Sequence, residues 1–312
     1  AVEEFIAEHG QKRFDRLDLL VGTDPDADRA GIVVKVPRRQ QKYFGKYKLL
    51  SANDAWTLLL WYRFSKEAEA NNGIVPERDR KYLTFSHVTT DALEKVGEVF
   101  GVASRGEMLN RKGEPIGGYL EGNRSWVGFP YIAAFADKMR KQGFINVGGA
   151  EESNGFSILG GPVPEGEVLS PDGHVNDKDG TLAAVLLAET AAYAKSKGTT
   201  LFEMLDEIYL HPQVGYYATA NKPMPRVGAF PGAAGLKKKI RLLGKTQEWL
   251  AEANARANSD QPFTLAGLPV IGAVQWHSGR YVKEHYNYIG FPDEGVRFFF
   301  SDPALKPGDD FT

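Results

Sequence analysis

The chain has 312 residues, no cysteine and a formal net charge of −2. Disulfides, thiol nucleophiles and thiolate zinc sites are therefore excluded, and no basic footprint for nucleic acid is present. No apolar run reaches membrane-spanning length and the N-terminus lacks a signal-peptide pattern, so the expectation is a cytoplasmic enzyme of up to two domains with no membrane partner.

Ala1 begins without Met, and Glu3, Phe5, Ile6 and His9 follow in helical spacing up to Gly10, which reads as a chain starting inside a domain. Apolar Leu19, Leu20 and Val21 read as a buried central strand. Gly22 and Thr23 let the chain leave the sheet, and Pro25 stiffens the loop Asp24-Pro25-Asp26-Ala27-Asp28-Arg29. In an extended loop residues two apart face the same way, so Asp24, Asp26 and Asp28 can converge on one hard cation, and without one they would repel. Magnesium bound by three protein oxygens keeps octahedral positions for a phosphate oxygen and water; manganese suits the same donors. An EF-hand is excluded, because its sixth and twelfth positions need Gly and Glu and here hold Arg29 and Lys35. An acidic surface turn is the plainer alternative, and a haloacid-dehalogenase-type phosphatase with an Asp nucleophile is a second, although Ala27 and Arg29 stand where that class continues differently.

A strand is predicted over residues 31–36, then a basic hairpin region over 37–48. Ser51 can cap a helix whose Trp56, Leu59, Leu60 and Phe64 share one face and read as core. From about residue 80 strand and helix alternate: strand 82–88; helix 91–100, capped by Thr89 or Thr90 and stopped at Gly101; helix 131–142; strand 144–147; helix 180–197. The polar, glycine-bearing stretch 105–124 reads as an insertion or lid. This alternation predicts an α/β fold with a parallel or mixed sheet covered on both faces. After an apolar segment at 201–210, residues 211–235 read as a Pro/Gly/aromatic linker and 237–254 as a basic amphipathic helix with a solvated charged face. Strands are then expected at 269–276, 286–289 and 296–300.

Four stretches in order carry a resemblance: the Asp24–Arg29 loop, Trp126-Val127-Gly128-Phe129, Gly148-Gly149-Ala150-Glu151-Glu152-Ser153-Asn154-Gly155, and Asp177-Lys178-Asp179-Gly180 at the head of an apolar helix. Together they resemble the metal-binding loop, sugar-recognition loop and linking motifs of the α-D-phosphohexomutases, the family of phosphoglucomutase and phosphomannomutase. The resemblance implies a mixed sheet flanked by helices, with partial flanking domains: residues 1–38 as the end of a metal-binding domain, 39–210 as a sugar-recognition domain, and 211–312 as a linker and the start of a phosphate-binding domain. It implies interconversion of hexose 1- and 6-phosphates, of glucose and by extension mannose, with Mg²⁺ and a glucose 1,6-bisphosphate intermediate. Asp24, Asp26 and Asp28 would hold the metal, while Glu151, Ser153 and Gly128 would meet the sugar phosphate. Arg29 would offset phosphate charge or form a structural salt bridge, and Lys178 would approach phosphate or cap the sheet edge; these two are the catalytic candidates.

The family's phosphoserine loop has no counterpart here, since Thr219-Ala220-Asn221-Lys222-Pro223 lacks the serine and lies on the wrong side of the other motifs. The serine is therefore expected outside the chain, which alone would be inactive. Pro130 stands where the family usually carries Lys, so either Lys138 or another base covers any acid-base role, or the protein is slow or altered in substrate. Phosphopentomutase, and a non-catalytic, metal-dependent sugar-phosphate binding module, remain alternatives. Oligomeric state is not legible.

Overall fold

The computed structural model describes residues 2–107, 124–218, 232–256, 259–276 and 295–300. The chain divides into two compact units, one of residues 1–114 with 122–220 and one of 115–121 with 221–312. The expected strand at 286–289, the Thr219–Pro223 stretch and most of the lid candidate lie outside the described residues.

The first unit opens with helices α1 (Val2–His9) and α2 (Gln11–Phe14) and an antiparallel sheet of β1 (Leu19–Thr23), β2 (Ala30–Lys35) and β3 (Tyr47–Leu49), in the order β1-β2-β3. The short helix α3 (Gln41–Phe44) lies between β2 and β3, where the sequence suggested a plain hairpin. The strand expected to be central and buried, β1, is a half-buried edge strand instead. β2 is the central strand, and only Ala30, Ile32 and Val34 on its inner face are fully buried, the alternation of a sheet covered on one side.

Helix α4 (Ala52–Ala70) starts where Ser51 Oγ accepts the Asp54 N–H at 3.1 Å, as its N-cap position predicts. Trp56, Leu59, Leu60 and Phe64 are all buried, together with Leu58 on a further face. That second buried face follows from α4 packing against α5 (Ala92–Val99), α7 (Gly180–Ser196) and α8 (Leu201–Tyr209).

The main sheet contains β4 (Lys81–Phe85), β5 (Ala103–Ser104), β6 (Ile145–Ala150) and β7 (Phe156–Ser157), ordered β5-β4-β6-β7. β4 runs parallel to β5 and β6, and β7 returns antiparallel to β6. The expected mixed sheet is therefore present, and alternation along β4 covers both its faces. Leu83 and Phe85 enter the main core with α4 and α5, while Tyr82 packs on Phe135 and Met139 of α6 (Phe129–Arg140) on the other side. Neither candidate threonine holds the N-cap position of α5, which is Asp91; Thr90, just before it, accepts the Ala92 N–H through Oγ1 at 3.2 Å.

The second unit contains helix α9 (Gly232–Arg256) and a sheet of β8 (Thr264–Leu265), β9 (Leu268–Trp276) and β10 (Gly295–Phe300), antiparallel in the order β10-β9-β8. Lys237, Lys238, Arg241 and Lys245 of α9 are exposed, the solvated face read from the sequence. Among the described residues no helix is long and apolar enough to cross a membrane.

Candidate functional site

The loop of residues 24–29 joins β1 to β2, and the pair Thr23 and Ala30 closes it. It is curled rather than extended. Ala27 takes a left-handed φ of 56°, its N–H donates to Asp24 O at 3.0 Å, and the Arg29 N–H donates to Asp24 Oδ1 at 3.1 Å. The curl achieves what alternation was expected to: Asp24, Asp26 and Asp28 each present an oxygen within 4.8 Å of the others. Arg29 stands beside them, its Nε 3.7 Å from Asp24 Oδ2 and 3.5 Å from Asp28 Oδ1.

Two further elements clamp this loop. α7 packs on β1 and β2, and its first residue, Gly180, donates its N–H to Ala27 O at 2.9 Å. A Cβ at Gly180 would lie 2.3 Å from Arg29 O, so only glycine allows the helix end to sit so close. From the segment just before the helix, Lys178 Nζ reaches Asp28 Oδ2 at 2.6 Å, and the bond to Asp28 raises the lysine's pKa. The second clamp is the β6-to-β7 loop: Asn154, at a left-handed φ of 70°, donates Nδ2 to Ala30 O at 3.0 Å, and its own carbonyl accepts the Ala30 N–H at 3.2 Å.

The loop of residues 151–155 in turn meets the Trp126–Phe129 stretch. The Gly128 N–H, at the start of α6, donates to Glu151 Oε1 at 2.7 Å. All four motifs thus converge within the first unit. Glu151 itself is only 3% exposed, turned inward rather than out to solvent. Burial pushes its carboxyl above the ordinary carboxylate range, with the Gly128 bond opposing the shift. Ser153 is half-buried in the same loop, and Glu152 Oε2 accepts Ser86 Oγ–H at 2.9 Å beyond the end of β4.

An implied divalent cation can be tested against these groups. Asp28 Oδ1 is buried without a hydrogen-bond partner, a costly arrangement for a carboxylate oxygen. Asp28 is one of three carboxylates that converge, with Arg29 Nε and Lys178 Nζ against them. The residues fit Mg²⁺ or Mn²⁺.

No protein-family model matches the chain. Phosphoglucomutases of Staphylococcus saprophyticus and Staphylococcus epidermidis are 24% and 31% identical to it, over 96% and 93% of this chain and 45% and 43% of their own. A Mus musculus phosphopentomutase is 25% identical over 64% of this chain and 26% of its own. The chain is similar to these phosphoglucomutases over most of its own length. It spans less than half the length of these curated relatives. Among solved structures, an apo N-acetylglucosamine-phosphate mutase of the α-D-phosphohexomutase superfamily covers 83% of this chain and 42% of its own at 13% identity, with a TM-score of 0.42, too loose a match to carry an argument.

Two residues take positions that the sequence did not specify. Lys138 is ion-paired with Glu107 near the C-terminal end of α6, ten residues along the helix from Gly128 and so about 15 Å away. Pro130 occupies the first turn of α6, where a missing N–H costs nothing. Trp56, read as core alone, has a second function: its Nε1–H donates to Glu151 O at 2.9 Å while its ring packs on Phe156. A buried indole N–H usually finds an acceptor, and that tendency was the signal available in the sequence.

Proposed function

We propose that this chain supplies the cation-binding and sugar-recognition parts of a phosphosugar mutase that interconverts hexose 1- and 6-phosphates, glucose first and mannose second, by way of a phosphoserine and a 1,6-bisphosphate. The observation that supports this reading is the joining of the Asp24–Asp28 loop to the Glu151 loop through Asn154 and Ala30, which would tie the proposed cation site to the proposed sugar site.

Asp24, Asp26 and Asp28 would hold Mg²⁺, which when bound supplies charge neutralisation to a phosphoryl group. The chain's own residues then position and screen. Arg29 flanks the cluster and offsets phosphate charge. Glu151 is fixed through its main chain by Trp56 and through Oε1 by Gly128, leaving Oε2 beside Gly155 as the acceptor for a sugar hydroxyl. Ser153, two residues on, offers a hydroxyl to its neighbour. Gly128 acts on the substrate through Glu151, as a positioning residue. In this reading the phosphoserine lies outside the 312 residues, and the chain binds substrate without turning it over.

A coupled assay with glucose 1-phosphate and catalytic glucose 1,6-bisphosphate, run on the protein at the length of its relatives and on this chain, tests the proposal. Activity in the former alone is expected. Mutase turnover by the 312-residue chain would refute the external serine, and inactivity of the longer protein would favour a binding module. The phosphopentomutase match supports a second substrate class, and ribose 1-phosphate assayed alongside separates the two.

A further inference from the structure

We infer that Lys178 sets the cation selectivity of the Asp24, Asp26 and Asp28 cluster by limiting Asp28 to one donating oxygen. The inference rests on the cation-site reading above. Asp28, one of the three converging carboxylates, has two unlike oxygens: Oδ2 is engaged by Lys178 Nζ at 2.6 Å, whereas Oδ1 is buried, accepts no hydrogen bond and has Arg29 Nε only at 3.5 Å.

Lys178 is not a loosely tethered surface cation. Its stem runs against Gly155, where an added Cβ would lie 2.9 Å from Lys178 Cδ, and its side chain is 17% exposed. Two residues later Gly180 is bonded to Ala27 O of the acidic loop, so both ends of the lysine are fixed relative to Asp28. Asp24 is held similarly, its Oδ1 by the Arg29 N–H and its Oδ2 near Arg29 Nε.

The consequence follows from ion size. Mg²⁺ takes six ligands at short distance and is satisfied by one oxygen from each carboxylate plus water, whereas Ca²⁺ takes six to eight at longer distance and gains from bidentate carboxylates. An ammonium on Oδ2 withholds the additional oxygen that the larger ion would use. Lys178 acts through Asp28, as groups behind metal ligands commonly do.

The test is calorimetric titration of the 312-residue chain with Mg²⁺ and with Ca²⁺, for wild type, Lys178→Met and Lys178→Arg, with thermal melts to confirm folding. Removing a positive charge strengthens both ions equally, so that contribution cancels in the ratio of their affinities. The expected result is a rise of about tenfold in the Ca²⁺:Mg²⁺ affinity ratio for Lys178→Met, with Lys178→Arg within about twofold of wild type. Parallel changes for both ions would overturn the inference and leave Lys178 as a competing charge only. Wild type binding Ca²⁺ more than about tenfold tighter than Mg²⁺ would overturn it whatever the variants do. Binding of neither ion would instead overturn the cation site itself, so the two failures are distinguishable.

Discussion

Asn154 and Ala30 hold each other by two hydrogen bonds, the Asn154 amide to Ala30 O at 3.0 Å and the Ala30 N–H to Asn154 O at 3.2 Å. The first residue of the central strand β2 is thereby tied to the loop that follows β6, and two loops from different sheets become one surface. Asparagine suits the position because it tolerates the left-handed φ of 70° while its short amide reaches the neighbouring backbone.

Asn154→Gly keeps that backbone conformation and removes only the amide bond. A stability loss of about 1 kcal/mol is expected in denaturant titration, together with weaker glucose 1-phosphate binding by calorimetry. Unchanged sugar-phosphate affinity would mean that the tie is structural only.

Glu151→Gln probes the buried carboxyl. Burial raises its folded pKa above the ordinary 4.5 despite the Gly128 N–H. A carboxyl raised in this way favours the folded state below its unfolded pKa, and that contribution is lost as pH rises through the folded value. The glutamine variant can retain the Gly128 bond and carries no charge. It should therefore melt with wild type near pH 4 and at a higher temperature near pH 7, while binding sugar phosphate less tightly. Equal melting temperatures at both pH values would show that the carboxyl bears no burial cost.

Asp26 is the exposed member of the acidic cluster, so its loss should not harm the fold. In wild type, Mg²⁺ at about 100 times its dissociation constant should stabilise by about 2.7 kcal/mol, seen as a rise in melting temperature that chelation reverses. Asp26→Asn should lose most of that rise and melt no lower than wild type without metal. A full Mg²⁺ response in the variant would exclude Asp26 as a ligand.

Trp56→Phe preserves most of the aromatic packing on Phe156 and deletes the donor to Glu151 O. Leaving that carbonyl without its partner should cost about 1–3 kcal/mol in denaturant titration. If the bond also positions Glu151, sugar-phosphate affinity should fall while Mg²⁺ affinity stays constant, a split that general loosening of the core would not produce.

The order of elements in the first unit was legible from local pattern, because helix and strand periodicity and the Ser51 cap act over a few neighbouring residues. The sequence by itself also determined the donor chemistry of Asp24, Asp26 and Asp28. The tertiary structure decided what those residues do together. Their convergence depends on the curl at Ala27 and on Gly180 pressing against the loop, whereas an extended reading brought the same three residues together by a different geometry. The edge position of β1, the inward turn of Glu151 and the pairing of Lys178 with Asp28 had no local signal. Each depends on which face of one element docks on another distant in the chain, and hydrophobic periodicity identifies a buried face without naming the partner that covers it.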